Sequence, residues 1–320
     1  MEQPGLIDMS GSVVVADFQG DPRRRARDRR MRVVLGGAAM FTVLISALIL
    51  FVLFRGAIDF FRSIGWDFGI LVDDSAAPGW FPRRERFDLL TIVLGSIVMG
   101  LVAMIVAVPL GLGTAVYLSE YAPPRVRRIV KPAVEVLAGI PSVIVGYFAL
   151  KFIAPNIVDP IFSPDQPRNM LVAGMAIGVL VVPIMASICE DALRAVPMSL
   201  REASYGVGAR KSTTTIRVVL PAAVSGIVAA FIIATSRAIG ETMVAAMAGG
   251  RDGSGPRVLS PLDPGLTMTA AMTNAAGGTD QVKAGAPFQV LFFVGLLLFL
   301  LTMSLNMIAD RVVRKYRQKY

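Results

Sequence analysis

The sequence predicts an all-α integral membrane protein with six transmembrane helices. Of its 320 residues, 54% are hydrophobic and only 17% are charged. Mean hydropathy is +0.63, more apolar surface than one soluble core can hide, so lipid is expected to serve as solvent. A span needs about 20 predominantly apolar residues. Six runs of that kind lie at 33–54, 89–119, 132–153, 170–189, 222–247 and 288–310. The basic residues gather at the ends of these runs, which explains the net charge of +9 by topology rather than by nucleic-acid binding.

The chain starts with a basic tail over 1–32, in which Arg23, Arg24, Arg25, Arg27, Arg29, Arg30 and Arg32 cluster before the first span at 33–54. The run is full span length and lacks a clear small-residue cleavage site, so it reads as an uncleaved anchor rather than a signal peptide. With an even number of spans both termini lie on one side. That side carries 21 basic residues against about 10 in the opposite loops. The positive-inside bias therefore places both the N-terminus and the basic tail 311–320 in the cytoplasm. Segment 55–88 falls outside, with Trp66, Trp80 and Phe81 suited to the membrane interface.

The main transmembrane region is expected over 89–310. Its first span contains Pro109, Gly111 and Gly113, and its excess length is absorbed by tilt, a kink or continuation beyond the bilayer. In the next span, Glu135 is an intramembrane acid about one turn from the boundary near Lys131. It reads either as a pathway residue or as the partner of Arg128 or Lys131. Pro141 removes a helical donor and is expected to kink this span. In the span at 170–189, Gly174 and Gly178 form a small-xxx-small pair, which is either a close helix contact or a chance spacing. Cys189 is the single cysteine, and histidine is absent. Disulfide frameworks, histidine catalysis and Cys/His metal sites are thereby excluded.

Between the fourth and fifth spans, 190–221 forms a polar, basic island, with EASYGVGARKSTTTIRVVLP at Glu202–Pro221. The pattern reads as helix, bend at Gly208, then a second short basic helix. It is similar to the loop that defines ABC importer permeases: Glu-Ala-Ala, a spacer of three, Gly, a spacer of nine, an aliphatic residue, any residue, then Leu-Pro. Glu202, Ala203, Gly208, Val218, Leu220 and Pro221 fall in register. Ser204 replaces the second Ala and Val218 the usual Ile. The resemblance implies that this loop docks in a groove of an ATPase subunit; an ordinary cytoplasmic connection is the alternative.

The fifth span holds Arg237-Ala238-Ile239-Gly240-Glu241-Thr242. An ionised side chain at the bilayer centre costs on the order of 2.5–3.5 kcal/mol, so it faces protein or water and has a partner. Arg237 and Glu241 are four apart and share one helix face. They read as a pathway pair, or alternatively as a self-paired couple snorkelling to the interface. The external loop 248–287 is too polar to cross a bilayer. Within it, LTMTAAMTNA at Leu266–Ala275 is expected to form a short helix at the pathway mouth, the alternative being a solvated lid.

AVEVLAGIPSVIVG together with SRAIGETMVAAM narrows the resemblance to the C-type permeases of the phosphate-specific Pst importers, over roughly 89–250. The resemblance implies a type I ABC importer permease of the MetI-like kind, a core of five helices plus one N-terminal helix, in a bacterial inner membrane. It implies a second permease (PstA-like), a homodimeric ATP-binding subunit (PstB-like) and an extracytoplasmic phosphate-binding protein (PstS-like). Arg237 would attract phosphate, Glu241 and Glu135 would hold or release the arginine, and Thr242 would add a hydroxyl. The chain has no G-x-x-x-x-G-K-[ST] loop. It is therefore expected not to be an enzyme and to hold no cofactor, with ATP and Mg bound by the partner ATPase. A permease for molybdate or sulfate, an ATP-independent transporter or channel, and a subunit that signals external phosphate stay open.

Overall fold

The computed structural model describes residues 22–72, 78–250, 257–277 and 285–316. The polar residues before Pro22, and parts of the external loop and C-terminal tail, lie outside those described. Helix α1 (Pro22–Ser63) is continuous, and its apolar stretch contains the predicted span 33–54. Residues up to Val52 form one compact unit, and those from Leu53 onward another. In the first unit, large apolar side chains such as Leu35, Phe41, Leu44 and Leu48 are exposed, as a helix bathed in lipid requires.

The second unit opens with an aromatic cluster. Phe60 is fully buried, stacked on Phe293 at 5.6 Å and edge-on to Phe87 at 5.3 Å. Strands β1 (Trp80–Phe81) and β2 (Arg86–Phe87) pair antiparallel with Trp80 opposite Phe87. This corrects the interfacial role expected of Trp80, which is buried in the core. Trp66 is the exposed tryptophan, and it lies over Phe61 at 5.6 Å.

Helix α2 (Leu89–Val116) starts at Asp88, whose carboxylate accepts from the Thr91 N–H at 3.1 Å and so satisfies an orphan donor of the first turn. Pro109 is accommodated without ending the helix, which continues through a π-helical turn at Tyr117–Tyr121. It packs along α6 (Met170–Arg194), capped by Asn169. The spacing of Gly174 and Gly178 is a close contact and not chance. A Cβ on Gly174 would lie 2.6 Å from Val102 Cβ, and one on Gly178 would lie 2.7 Å from Val106 Cβ and 2.8 Å from the Ala103 carbonyl. Such approach strengthens the dispersion contacts that hold helices together in lipid.

The third span differs from the expectation of 132–153. Helix α3 (Pro124–Ala138) is separate and amphipathic, with Ile129 and Val136 exposed on one side and Arg127 and Lys131 on the opposite side, facing Glu190. It ends at Gly139, and Pro141 starts a new segment instead of kinking the old one. That segment combines α4 (Ser142–Phe148), a π-helical stretch at Ala149–Val158 and α5 (Asp159–Phe162). Together, Ser142–Phe162 is long and apolar enough to cross a membrane.

Beyond α6 come α7 (Met198–Gly206), α8 (Lys211–Thr214), a π-helical turn at Thr215–Val219 and α9 (Leu220–Ala222). The chain then turns by 70° into α10 (Val224–Ile239). The expected continuous span 222–247 is broken: α10 ends at Ile239, residues 240–242 are non-helical, and α11 (Met243–Ala248) follows. Helix α12 (Met268–Gly277) is buried over much of its length, and α13 (Ala286–Tyr316) ends the described chain. Among the described residues, five helices are long and apolar enough to span, or six if the bent pair of Lys211–Ala222 and Val224–Ile239 counts as one.

Substituting Gly178→Ala is expected to cost about 1–3 kcal/mol by overpacking the α2–α6 contact. The thermal midpoint of the protein in detergent should fall, whereas Gly113→Ala, with nothing within 4 Å of its added Cβ, should leave it unchanged.

Candidate functional site

The break between α10 and α11 carries the first group of predicted site residues. Arg237 lies in the last turn of α10, where the helix dipole favours a cation. Its Nη1 donates to Glu241 Oε2 at 2.7 Å. The two side chains sit in unequal surroundings, with Glu241 only 4% exposed and Arg237 44% exposed. One of the five guanidinium N–H groups is used by this bond, and the exposed part of the guanidinium is open to another anion. Thr242 is half-buried, and its hydroxyl donates to the Gly240 carbonyl at 3.4 Å.

A break in a membrane helix frees backbone groups that must find partners within the protein. Here the partners come from the segment entering α12. The Thr269 hydroxyl donates to the Glu241 carbonyl at 2.8 Å and lies 3.0 Å from the Thr267 hydroxyl. Thr267 in turn accepts from the Ala270 N–H at 3.2 Å, capping the first turn of α12. On the α2 side, the Met268 N–H donates to the Ser96 hydroxyl at 2.9 Å, which donates onward to the Ile92 carbonyl at 2.8 Å. The expected helix at Leu266–Ala275 is therefore a buried strut against the break, not a solvated lid. Farther out, the Arg257 guanidinium grips both oxygens of Asp88, at 3.0 and 3.2 Å.

Glu135 belongs to a different cluster. It is exposed on α3 and lines a cavity of about 460 Å³ with Arg127, Arg128 and Lys131. No ion pair joins Glu135 to Arg237, whose partner is Glu241. Nor does it pair with Lys131 as one reading expected, because Lys131 Nζ lies 3.2 Å from Glu190 and 3.9 Å from Asp191. Glu190 is the buried acid that sequence reasoning missed. It is 1% exposed and is met by Lys131, by Arg127 and, at 3.9 Å, by Arg194. Its signal was an acid placed directly after the apolar run 170–189.

The third group is the loop Glu202–Pro221. Glu202 and Ala203 are exposed on α7, and Val207 follows at 85% exposure. Gly208 makes the bend with φ +80°, a left-handed conformation that costs other residues about 1–2 kcal/mol. The Ser204 and Thr214 hydroxyls lie 2.8 Å apart, joining the two short helices across the bend. Leu220 is half-buried and Pro221 exposed, the latter one residue before the end of the helical run Lys211–Ala222. The predicted helix, bend and helix are all present.

A membrane bundle with a broken inner helix and a short double-helix loop between spans defines a transporter subunit. The chain belongs to the binding-protein-dependent transport system inner membrane components, whose family model matches residues 107–318. It is similar to the phosphate transport system permease protein PstC of Xylella fastidiosa strain 9a5c, 32% identical over 260 residues, covering 75% of this chain and 78% of the relative. PstC of Mesorhizobium japonicum is 31% identical over 296 residues, covering 87% and 84%.

Among solved structures, a chain of a bacterial alginate ABC transporter matches with TM-score 0.64 and 13% identity, covering 92% of this chain and 98% of that one. A chain of the MetNI methionine ABC transporter in an inward-facing conformation matches with TM-score 0.56 and 23% identity, covering 72% and 96%. These two likenesses establish the shared type I importer fold.

Thr269→Val should leave the Glu241 carbonyl buried without its donor, at a cost of about 1–3 kcal/mol. The thermal midpoint should drop, while Thr235→Val, which removes an exposed hydroxyl bonded to its own helix, should not move it.

Proposed function

We propose that this chain is the C-type permease subunit of an ATP-driven importer that moves inorganic phosphate into the cytoplasm. The observation that carries the reading is the Arg237–Glu241 pair at a helix break, in a chain 32% identical to a PstC permease over 75% of its length. Phosphate is a tetrahedral anion, and a guanidinium offers it paired hydrogen bonds in a planar fork. In the path, Arg237 lowers the electrostatic barrier to the anion. Glu241 competes for the same guanidinium at 2.7 Å, so phosphate is held weakly enough to leave. Thr242 offers a hydroxyl beside it. Glu135, with Arg127, Arg128 and Lys131, lines the cavity at the other end of the route.

ATP and Mg bind to a separate homodimeric ATPase subunit (PstB-like), which receives Glu202, Ala203, Gly208, Leu220 and Pro221 in its groove. A PstA-like permease completes the pathway, and a PstS-like binding protein delivers phosphate from outside. Both termini of the chain lie in the cytoplasm, as the distribution of basic residues supports. Closure of the ATPase selects one of two permease conformations by gripping the loop differently in each.

The reading is tested by uptake of labelled phosphate, sulfate and molybdate into vesicles holding the complex and its binding protein. Phosphate is expected to enter only with ATP, and entry of a different oxyanion would reassign the substrate. Arg237→Glu is expected to reduce phosphate uptake to background while the complex still assembles; normal uptake by that variant would remove Arg237 from the pathway. Gly208→Val, strained at φ +80°, is expected to reduce recovery of the ATPase in affinity purification.

A further inference from the structure

We propose that Arg201 is the positioning residue that transmits movement of the coupling loop to the membrane helices; this rests on the coupling role proposed for Glu202–Pro221. The inference starts from an asymmetry on α7. Glu202 and Ala203, in register with the family pattern, face outward. The residue before them turns inward, with its side chain 10% exposed.

The Arg201 guanidinium joins three elements. Nη2 donates to Glu120 Oε1 at 2.9 Å, and Nε lies 3.4 Å from Glu120 Oε2. Glu120 is 5% exposed and sits on the π-helical turn that ends the α2 span. Nη2 also donates to the Leu193 carbonyl at 2.8 Å, and Nη1 donates to the Val196 carbonyl. The Leu193 carbonyl belongs to the last turn of α6 and also accepts from the Val196 N–H at 3.4 Å, while the Val196 carbonyl lies two residues beyond the helix; a cation at this end of α6 is favoured by the helix dipole.

A planar fork satisfying a carboxylate and two carbonyls is a geometry that lysine cannot reproduce. Displacement of α7 therefore carries with it the ends of both α2 and α6, the two helices packed through Gly174 and Gly178. Without the fork, α7 still presents Glu202 and Ala203 to the ATPase, but its motion is no longer tied to the bundle.

The test measures phosphate uptake and ATP hydrolysis together in vesicles holding the whole complex, for the unsubstituted chain, Arg201→Ala and Arg201→Lys. The ATPase should still co-purify with Arg201→Ala and hydrolyse ATP, while phosphate moved per ATP falls at least tenfold. Arg201→Lys should recover part of that ratio. An unchanged ratio in Arg201→Ala would overturn the proposal, as would loss of hydrolysis and uptake in parallel, which marks a purely structural role. If the unsubstituted complex moves no phosphate with ATP, the functional reading itself fails, a result separate from any effect of Arg201.

Discussion

Hydrocarbon offers no hydrogen bonds, and that constraint decides where this chain can depart from a regular helix. Every interruption has to be closed by the protein itself. The break after Ile239 is tolerable because Thr269 reaches the Glu241 carbonyl, and the segment that brings Thr269 is held by Ser96 on α2. Remove the incoming segment and the Glu241 carbonyl at the break loses its donor. The polar external loop and the charged pair are thus one structural unit, although about thirty residues separate them in sequence.

Around this unit, the bundle uses two means of holding helices together. In the apolar interior, α2 and α6 rely on missing side chains, with Gly174 and Gly178 letting Val102 and Val106 approach. At the end that carries residues 195–221, attachment is ionic. Glu190 gathers Arg127, Lys131 and Arg194, while Arg201 binds Glu120. Breaking the Arg201–Glu120 pair, buried on both sides, costs about 3–5 kcal/mol, because the other charge is left uncompensated. The loop that meets the ATPase in the proposed function is therefore fixed on its inner side by charge, with exposed Val207 and Tyr205 on the outer side.

Much of the architecture was legible because the relevant signals are local. Span length, the clustering of arginines and the twenty-residue spacing from Glu202 to Pro221 need no knowledge of tertiary contacts. The errors arose where hydropathy and structure separate. The stretch Pro132–Ala138 is apolar enough to be counted into a span, yet its residues share α3 with Arg125, Arg127, Arg128 and Lys131, and Pro141 lets the chain restart. Apolar runs on both sides of Arg237–Thr242 keep the mean hydropathy high, so the break was invisible to a window average. Trp80 looked interfacial because its burial depends on Phe87, brought opposite by the β-hairpin. The Arg–carboxylate clamps join residues 63 and 81 positions apart, and no single-sequence pattern specifies such pairings.

The π-helical turns at Tyr117–Tyr121, Ala149–Val158 and Thr215–Val219 make residue count a determinant of angular phase. Each α-helical residue advances the chain by about 1.5 Å and about 100°, whereas a wide turn takes up an extra residue before the helix resumes. Deleting one residue from Thr215–Val219 would rotate everything from α9 onward and swing Arg237 away from its present azimuth without altering a single side chain. Length at these turns is accordingly under as tight a geometric constraint as identity is at Glu241. A change in length is borne more readily where no helix downstream inherits the rotation.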